Sequence, residues 1–383
     1  MLCDLRSIRA RFAARHAVRA AQSSQAASGG AWRFVVWPAL LWVCGACCTI
    51  AVGAGAAEDV TFLVTSDCHY DAFENEDRNQ RNRSTIDQMN RIAEASWPES
   101  LGGGPIGRPR GVAVLGDVID DGDRMIEGKN QSEAQYRFFL ADFGLDGTDG
   151  RLNYPVFEGW GNHDGPPPGL ERNGFSFQSQ LKRRNALRRE KHLIGRVSDN
   201  GLHYSWDWAD VHFVHLNLYA SDAPHPKIRY SPTHHDPQQS LAFLKADLAD
   251  AVGRSGRPVV LMQHYDFQGT DWWHDDQRRA LYEAVKPYNV IAVFHGHTAT
   301  GVYAWKPEGE DKPLDVINTG QTENGFFVVE LRGDRLRLAY RLKEGVVRTK
   351  QPPPADGATR VEWNGQWGWR WPLSRAVARP AVD

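Results

Sequence analysis

Five clusters of aspartate, asparagine and histidine are spread along this chain of 383 residues, and each stands just after a short apolar run. In chain order they are Asp67-Cys68-His69, Gly116-Asp117-Val118-Ile119-Asp120, Gly161-Asn162-His163-Asp164, His264 and His295-Gly296-His297. Carboxylate, amide and imidazole groups, with no need of a thiolate, suit Mn²⁺, Fe²⁺ or Zn²⁺ as ligands. The clusters therefore predict a site for metal ions.

Two of the clusters contain pairs of possible ligands two residues apart, Asp67 with His69 and His295 with His297. Residues two apart on an extended chain face the same way, so each pair can present two ligands to one ion. A single histidine after a strand is more often a hydrogen-bonded structural residue than a ligand. The signal is the order of all five clusters, each behind a strand, which is hard to obtain by chance.

The apolar runs before the clusters are short and rich in β-branched residues, which is typical of buried strands. We expect strands at residues 60–65, 112–115, 156–158, 259–262 and 290–294. Ligand sites of open α/β sheets form beyond the carboxyl ends of the strands. The five clusters are therefore expected to meet at one edge of the sheet structure.

The segments between the strands are long enough for helices or hairpins. Apolar periodicity predicts helices at residues 84–95 (with Ser84 as the cap), 240–252 and 275–285. Alternating patterns predict hairpins within 203–218, turning near Ala209-Asp210, and within 316–342, turning around Arg332-Gly333-Asp334. Strands that alternate with helices and hairpins predict an α/β fold with mixed sheets flanked by helices.

The series D-x-H, G-D-x-x-D, G-N-H-D, H and G-H-x-H resembles the calcineurin-like metallophosphoesterase superfamily, and the likeness spans residues 67–297. The resemblance implies a four-layer α/β/β/α sandwich of two mixed β-sheets, with a dinuclear metal site at the carboxyl ends of the strands. It also implies the following ligands: Asp67, His69 and His297 for one cation, Asn162, His264 and His295 for the other, and Asp117 as a bridge between them.

The resemblance further implies the chemistry of a metal-dependent phosphoesterase. Two divalent cations (Mn²⁺, Fe²⁺ or Zn²⁺) would clamp a phosphate ester and activate a bridging hydroxide that attacks phosphorus. His163 would approach the leaving oxygen or the phosphoryl oxygens as an acid or a charge stabiliser. Neighbours on a strand end point apart, so His163 is not expected to be a ligand beside Asn162.

Four residues near these motifs are assigned supporting or alternative roles. Asp164 either orients the ring of His163 or raises its pKa, as a catalytic residue, or it is a turn residue before Gly165. Asp120 stands where purple acid phosphatases have a tyrosine ligand, which disfavours a ferric site, and we expect it to support a ligating histidine. Trp272 and Trp273 either wall the leaving-group pocket or pack the loop after His264.

Three functions fit these residues. The leading hypothesis is a phosphatase or phosphodiesterase that acts on a small phosphate ester. A second enzyme class is a cyclic-nucleotide phosphodiesterase or nuclease. The third is a non-catalytic, metal-binding surface protein that retains the fold.

The first 57 residues differ in composition from the rest. They carry six arginines and one aspartate, then an apolar stretch that ends in Ala54-Gly55-Ala56-Ala57. This pattern predicts a secretory signal and a periplasmic or secreted protein. The alternative is an uncleaved membrane anchor, which would be the only membrane contact. We expect a phosphoesterase domain over residues 58–345 and an irregular tail, rich in proline and tryptophan, over 346–383.

Net charge and cysteine content limit which ligands and which covalent cross-links are possible. Without residues 1–57 the formal net charge changes from −2 to −7, which argues against an extended nucleic-acid surface. Cys68 is the single cysteine of that remainder, so no disulfide forms within it. We expect Cys68 to face away from its neighbours Asp67 and His69.

Overall fold

The computed structural model describes residues 58–72, 76–269, 271–350 and 359–380. The chain divides into the units Met1–Ala51 and Val52–Asp383, and all described residues belong to the second. The predicted signal or anchor, residues 1–57, lies outside the described residues. Among the helices of the described ranges, none has the length and apolar character needed to cross a bilayer.

The described strands and helices are numbered in chain order. Strands β1 to β17 are Val60–Thr65, Val112–Val114, Met125–Ile126, Lys129–Asn130, Val156–Glu158, Arg196–Val197, Tyr204–Trp208, Val211–His215, Pro258–Met262, Asn289–His295, Gly301–Trp305, Leu314–Asn318, Gly325–Arg332, Arg335–Lys343, Val347–Lys350, Thr359–Glu362 and Trp367–Ala376. Helices α1 to α5 are Glu76–Asn90, Gln131–Phe143, Phe177–Glu190, Ser240–Asp247 and Asp275–Val285. Single 3₁₀ turns occur at Ile92–Glu94, Glu99–Leu101 and Asn162–Asp164, and a π turn at Leu248–Val252 continues α4.

Two mixed sheets contain most of the strands. The first has the order β17-β14-β13-β1-β2-β5, and the second has the order β11-β12-β10-β9-β8-β7-β6. Strands β1, β2 and β5 are parallel, as are β8, β9, β10 and β12. The other neighbours in both sheets pair antiparallel. These sheets contain all five strands expected before the polar clusters.

The side chains of β1 alternate between two apolar cores. Phe62 and Val64 pack between the sheets, where the rings of Phe62 and Phe213 lie 5.1 Å apart. Leu63 points the other way, into the core that contains Ile86 of α1. Helix α1 packs beside α2, and α4 packs beside α5. The predicted four-layer sandwich of two mixed sheets flanked by helices is therefore confirmed.

The expected hairpins also occur. Strands β7 and β8 pair antiparallel, and Ala209 between them has a φ of 53°. Strands β13 and β14 pair from Gly325↔Leu342 to Arg332↔Arg335, so the turn is at Gly333 and Asp334. Helix α5 has the predicted bounds.

The first helix begins earlier than its apolar pattern predicts. Helix α1 begins at Glu76, and Ser84 is not its cap but lies mid-helix, where its hydroxyl donates to the carbonyl of Arg81 over 2.8 Å. The first half of α1 is polar because its side chains form hydrogen bonds with the backbone of the loop after β1. Asn79 exchanges hydrogen bonds with the backbone of Asp71, and Asn82 donates to the carbonyl of Cys68. Apolar periodicity could not predict this part of the helix, because its side chains form hydrogen bonds with backbone groups of a loop instead of packing in an apolar core.

The expectation of an irregular tail is wrong for residues 367–376. They form β17, an edge strand that pairs with β14 from Arg335↔Ala376 to Lys343↔Trp367. A bulge interrupts the pairing near Trp371, whose φ is 49°. The bulge reverses the face on which odd-numbered residues lie. Before it, Trp369 packs in the core on the helix side of the sheet, and after it, Leu373 packs in the core between the sheets. This switch removes the regular alternation by which a strand is recognised in sequence.

Candidate metal centre

The loops that follow five strands meet at one end of the two sheets. The backbone N–H of Asp67 donates to the carbonyl of Gly116 over 3.0 Å, which ties the loop after β1 to the loop after β2. The N–H of Gly296 donates to the carbonyl of His264 over 3.0 Å and ties the loops after β9 and β10. The polar clusters of the sequence are thereby brought together.

One group of side chains that can hold a metal ion consists of His69, Asp117 and His163. One ligand atom of each lies within 4.8 Å of the others. The Nε2 atom of His69 is 3.8 Å from Oδ1 of Asp67 and 3.8 Å from Oδ2 of Asp117. Two buried carboxylates thus flank one imidazole nitrogen.

A second such group consists of Asp117, His264 and His297, again with ligand atoms within 4.8 Å. The Nε2 atom of His264 is 3.2 Å from Oδ2 of Asp117 and 3.1 Å from Oδ1 of Asn162. Asp117 belongs to both groups, which is the arrangement expected of a carboxylate between two cations.

His295 belongs to neither group. It is the last residue of β10 and is fully buried. Its Nδ1 atom lies 3.0 Å from the carbonyl oxygen of Gly296, and its Nε2 atom lies 2.8 Å from the hydroxyl of Tyr303. Six of the seven predicted ligands are therefore gathered, and His295 is held beside them by a tyrosine that the sequence motifs did not indicate.

The backbone presents the candidate ligands in an uncommon conformation. Asp67, His69, Asp117 and His297 have φ angles of 51°, 44°, 49° and 74°. Side-chain-bearing residues rarely adopt positive φ, and each such residue costs about 1–3 kcal/mol. The pairs Asp67/His69 and His295/His297 were expected to converge on extended chain, and that explanation is wrong. Asp67 and His69 converge because both sit in left-handed turns.

Glycines allow the ligands to approach the backbone closely. A Cβ atom on Gly161 would lie 2.3 Å from Oδ1 of Asp117 and 2.7 Å from Nε2 of His264. A Cβ atom on Gly296 would lie 2.4 Å from Oδ2 of Asp67. The glycines of the G-N-H-D and G-H-x-H motifs are therefore needed for space beside the carboxylates.

His163 lies in a 3₁₀ turn, not on an extended strand end. Its backbone N–H donates to Oδ1 of Asp117 over 2.9 Å, and its ring Nδ1 donates to the carbonyl of Asp120 over 2.6 Å. The argument that Asn162 and His163 must point apart is therefore wrong. Nε2 is the ring nitrogen of His163 that remains for a ligand or a substrate.

The carboxylate of Asp164 holds the turn rather than the imidazole of His163. Its Oδ1 accepts from the N–H of Ile119 over 3.0 Å, and its Oδ2 accepts from the N–H of Gly161 over 2.7 Å. Burial and the charge of Asp117 raise the pKa of Asp164 to about 8. These contacts contradict the prediction of a catalytic Asp164 that orients the ring, and they favour the alternative of a turn residue.

Two neighbours of the groups behave as the sequence predicts. Oδ1 of Asp120 lies 3.4 Å from Nδ1 of His69 and accepts a 2.8 Å hydrogen bond from Arg78, so Asp120 supports a candidate ligand. The Sγ atom of Cys68 contacts the Thr322 hydroxyl at 3.2 Å, and burial raises the pKa of this thiol. Cys68 is therefore a packed, protonated residue that faces away from the ligands.

The electrostatics of the centre fit bound cations. Burial and the charge of Asp117 raise the pKa of Asp67, although His264 and His69 oppose this. Burial lowers the pKa of His297 to about 3 and that of His295 to about 4, so both imidazoles are neutral at pH 7. The carboxylate of Asp117 outweighs burial and raises the pKa of His264 to about 9, so a divalent cation would take the place of the His264 proton between the buried carboxylates.

A cleft of about 430 Å³ opens above the centre. Its lining comprises Asp67, His69, Asp117, His163, His297, Thr298, Ala299, Thr300, Gly320, Gln321 and Asn324. Of the last six, Gly320 belongs to Asn318-Thr319-Gly320, a segment that extends the likeness to the family beyond His297. The other five were not singled out from the sequence, because their side chains fit no motif of catalytic residues, and their one signal was a position directly after H-x-H or after that segment.

Aromatic side chains pack on the other side of His297. The ring of Trp272 lies 4.5 Å from that of His297, and the ring of Tyr265 lies 4.8 Å from it. The hydroxyl of Tyr265 contacts the ring of His235, which comes from a loop whose histidines had no recognisable spacing. Trp273 is fully buried, so it packs the loop after His264, whereas Trp272 contacts a candidate ligand.

Comparison with known proteins gives a family and distant structural likenesses. A family model described as calcineurin-like phosphoesterase matches residues 60–301. No curated protein matches the chain. Solved structures that resemble it include GAP50, the anchor in the inner membrane complex of Plasmodium, at 12% identity, covering 85% of this chain and 90% of that one with a TM-score of 0.46.

PhoD is 14% identical, with 81% of this chain and 69% of that chain covered and a TM-score of 0.45. The NAD nucleotidase of Haemophilus influenzae is 12% identical, with 72% and 48% covered and a TM-score of 0.35. Likeness at this level carries no information about substrate.

Proposed function

This chain belongs to the calcineurin-like phosphoesterase family, and from that premise we propose that it is a phosphatase or phosphodiesterase that uses two divalent cations. The observation that carries the proposal is the position of Asp117, which is shared by two groups of possible ligands. The donor atoms are carboxylate, amide and imidazole groups, which suit Mn²⁺, Fe²⁺ or Zn²⁺.

Bound cations would supply Lewis acidity and lower the pKa of a coordinated water. The chain's own contribution is to hold the reacting groups in place. Asp67, Asp117 and the imidazoles of His69, His264 and His297 would hold the cations, and Asn162 would approach them beside His264.

His163 is the residue that we propose acts directly on the substrate. It lines the cleft, and the hydrogen bond from Nδ1 to the carbonyl of Asp120 sets the direction of the ring. In the doubly protonated ring, Nε2 can then donate its proton to the leaving oxygen or a hydrogen bond to a phosphoryl oxygen. Asp164 contributes indirectly, because its two hydrogen bonds from backbone N–H groups hold the turn that carries His163.

The decisive experiment compares the purified wild type with Asp117→Asn. The assay uses p-nitrophenyl phosphate and bis-p-nitrophenyl phosphate with Mn²⁺, Zn²⁺ or Mg²⁺. We expect turnover that requires added metal and that falls by roughly a hundredfold or more in the variant, because the carboxylate shared by both groups is lost. The preferred ester separates a phosphatase from a phosphodiesterase.

Asp87→Asn is the matched control, because Asp87 is an exposed aspartate that pairs with Arg151 away from the cleft. It should retain wild-type turnover. Equal activity of Asp117→Asn and wild type would contradict the proposed centre. A wild type that binds two metal ions yet hydrolyses neither ester would support the non-catalytic metal-binding alternative instead.

We also propose that the protein is exported and acts in the periplasm or outside the cell on a small phosphate ester. The support is the arginine-rich, then apolar pattern of residues 1–57 and the net charge of −7 without them. Mass spectrometry of the protein from fractionated cells checks this. A first residue near Glu58 in the soluble exported fraction is expected, whereas full-length protein in the membrane fraction would indicate the anchor.

A further inference from the structure

The wall of the cleft beyond the candidate ligands is uncharged and polar. It consists of Thr298, Ala299, Thr300, Gly320, Gln321 and Asn324. Among these lining residues Ala299 alone has an apolar side chain, and none is aromatic or charged. A substrate whose phosphate lies over the ligands would place its alcohol part against this wall.

Gln321 is fixed directly beside a candidate ligand. It forms a parallel bridge with Ser66, the residue before Asp67, and the N–H of Thr322 donates to the carbonyl of Ser66 over 2.8 Å. The side-chain amide of Gln321 makes no hydrogen bond with any residue in the described part of the chain. The backbone of Gln321 is therefore held in place while its amide remains available to a ligand.

Asn324 is also held in place, and the N–H groups of its side-chain amide remain available as hydrogen-bond donors. Its backbone N–H donates to the carbonyl of Gln321 over 3.0 Å, and its Oδ1 accepts from Arg348 over 3.0 Å. An asparagine whose oxygen is occupied keeps two amide protons for a ligand. Arg348 also pairs with Glu323 at 3.1 Å, a carboxylate that it shares with Arg81.

Thr298 adds a hydroxyl on the side of His297. Its Oγ1 accepts from Nδ2 of Asn318 over 2.5 Å, and its hydroxyl proton is shared with the carboxylate of Asp266. The free polar groups of the wall are thus the Gln321 amide, with both donor and acceptor, and the Asn324 amide, with two donors.

We propose that the alcohol part of the substrate is a small, uncharged group rich in hydroxyls, such as a polyol or a sugar, which Gln321 and Asn324 bind. The inference rests on the proposed function, because it assumes that the phosphate lies over the candidate ligands. Hydroxyls would satisfy the amides, whereas an apolar group would bury them unpaired and lose affinity. The cleft volume of about 430 Å³ suits a small molecule.

The aromatic side chains near the centre offer the rival interpretation. Tyr265 and Trp272 contact His297, but neither lines the cleft. If the alcohol part of the substrate were a flat aromatic ring, it would have to lie on their side of His297. The experiment must therefore distinguish hydroxylated from aromatic groups.

Three phosphonates, which resist hydrolysis, separate these cases: 3,4-dihydroxybutylphosphonate, butylphosphonate and phenylphosphonate. Each is titrated calorimetrically into the full-length protein loaded with Mn²⁺. We expect the dihydroxybutyl compound to bind about tenfold more tightly than butylphosphonate, because each neutral hydrogen bond changes affinity by roughly two- to tenfold. Phenylphosphonate should show no such gain.

Gln321→Leu and Asn324→Leu test the two amides. Each variant should lose most of the preference for hydroxyls and still bind butylphosphonate as the wild type does. Gln88→Leu is the matched control, because Gln88 is a partly exposed glutamine on α1 outside the cleft lining, and it should keep the preference.

Equal affinity of the wild type for the dihydroxybutyl and butyl compounds would overturn the inference and leave the proposed function intact. Tighter binding of phenylphosphonate would overturn it in favour of the aromatic side. If none of the three phosphonates bound the Mn²⁺-loaded protein, the phosphate site itself would be refuted, and the proposed function would fall with the inference.

Discussion

Strain at single residues is concentrated where the candidate ligands lie. The left-handed backbone of Asp67, His69, Asp117 and His297 costs about 1–3 kcal/mol per residue. The surrounding packing holds it, because Gly161 and Gly296 leave room for the carboxylates at distances that a Cβ atom would not allow. The side chains are therefore positioned before any cation binds. Folding has already ordered them, so cation binding does not include that loss of conformational entropy.

Gly161→Ala tests this need for space. The new Cβ atom would collide with Asp117 and His264, so we expect a loss of stability of about 2 kcal/mol and at least tenfold weaker binding of a cation. Gly195→Ala is the control, since the nearest atom to its Cβ would be 3.8 Å away. Urea unfolding and Mn²⁺ titration check both variants. Unchanged Mn²⁺ binding in Gly161→Ala would mean that the cation lies elsewhere.

Tyr303→Phe tests whether His295 is a ligand as the sequence predicts. The Tyr303 hydroxyl, 2.8 Å from Nε2 of His295, fixes the ring, and Nδ1 would bind a cation only after losing its contact with the carbonyl of Gly296. We expect one of two cations to bind roughly tenfold more weakly and the other to bind normally. The control is Tyr282→Phe. It removes a hydroxyl that in the wild type donates to the carbonyl of Lys312, away from His295. If Tyr303→Phe bound both cations with the same affinities as the wild type, His295 would be excluded from the ligands.

At the scale of elements, buried charges attach helices to the sheets. Glu158 at the end of β5 accepts from Arg184 and Arg188 of α3, and all three are buried. On the other sheet, His212 of β8 lies 2.7 Å from Asp207 of β7 and 2.8 Å from Asp247 of α4. These contacts set the positions of α3 and α4 where apolar packing alone would leave them free to slide.

His212→Gln should destabilise the protein in a pH-dependent way. Burial opposes the charge of His212, but hydrogen bonds with Asp207 and Asp247 outweigh it and raise its pKa above 6.5. Its contribution is therefore present below about pH 6.5 and is lost as the pH rises through the raised pKa. We expect a cost of about 1–3 kcal/mol at pH 6 that shrinks towards pH 10.

Urea unfolding between pH 6 and pH 10 measures this change. Arg257, which pairs with Asp207 at 2.7 Å, and Arg196, which pairs with Asp247 at 3.2 Å, face the same carboxylates. His192→Gln, at an exposed position, serves as the control. A cost for His212→Gln that is constant across this range would show that a neutral His212 is the stabilising form.

At the scale of the whole molecule, the two sheets combine segments from both ends of the described chain. Strand β1 lies in the middle of the first sheet, between β13 and β2, and β17 closes its far edge. The chain that follows β17 also reaches back, because Arg379 pairs with Asp210 and Val377 is buried between the sheets. The last strand is therefore part of the sandwich.

Removal of residues 346–383 tests this. Without β17, the edge of β14 is unpaired and Leu338 loses its partner Leu373, so we expect a loss of at least about 3 kcal/mol and a tendency to aggregate. Thermal unfolding and light scattering measure both effects, and removal of 381–383 alone is the control. An unchanged melting temperature for the shorter chain would support a dispensable tail.

The amino-acid sequence by itself determined which buried strands precede the candidate metal centre and which residues meet at their ends. Runs such as Val60–Thr65 and Val156–Glu158 are recognisable because burial on both faces demands continuous apolar residues, a property of the local sequence. The polar residue after each run then lies at the carboxyl end of a strand in any fold of this class.

Only the tertiary structure decided how these residues are presented and what surrounds them. The left-handed turns at Asp67 and His69, the partner of His295 and the turn held by Asp164 depend on loops that approach from other strands. The polar half of α1, the bulged strand β17 and the cleft wall of Gln321 and Asn324 have no periodic signal either. Their roles come from contacts between residues far apart in the chain, which no local pattern contains.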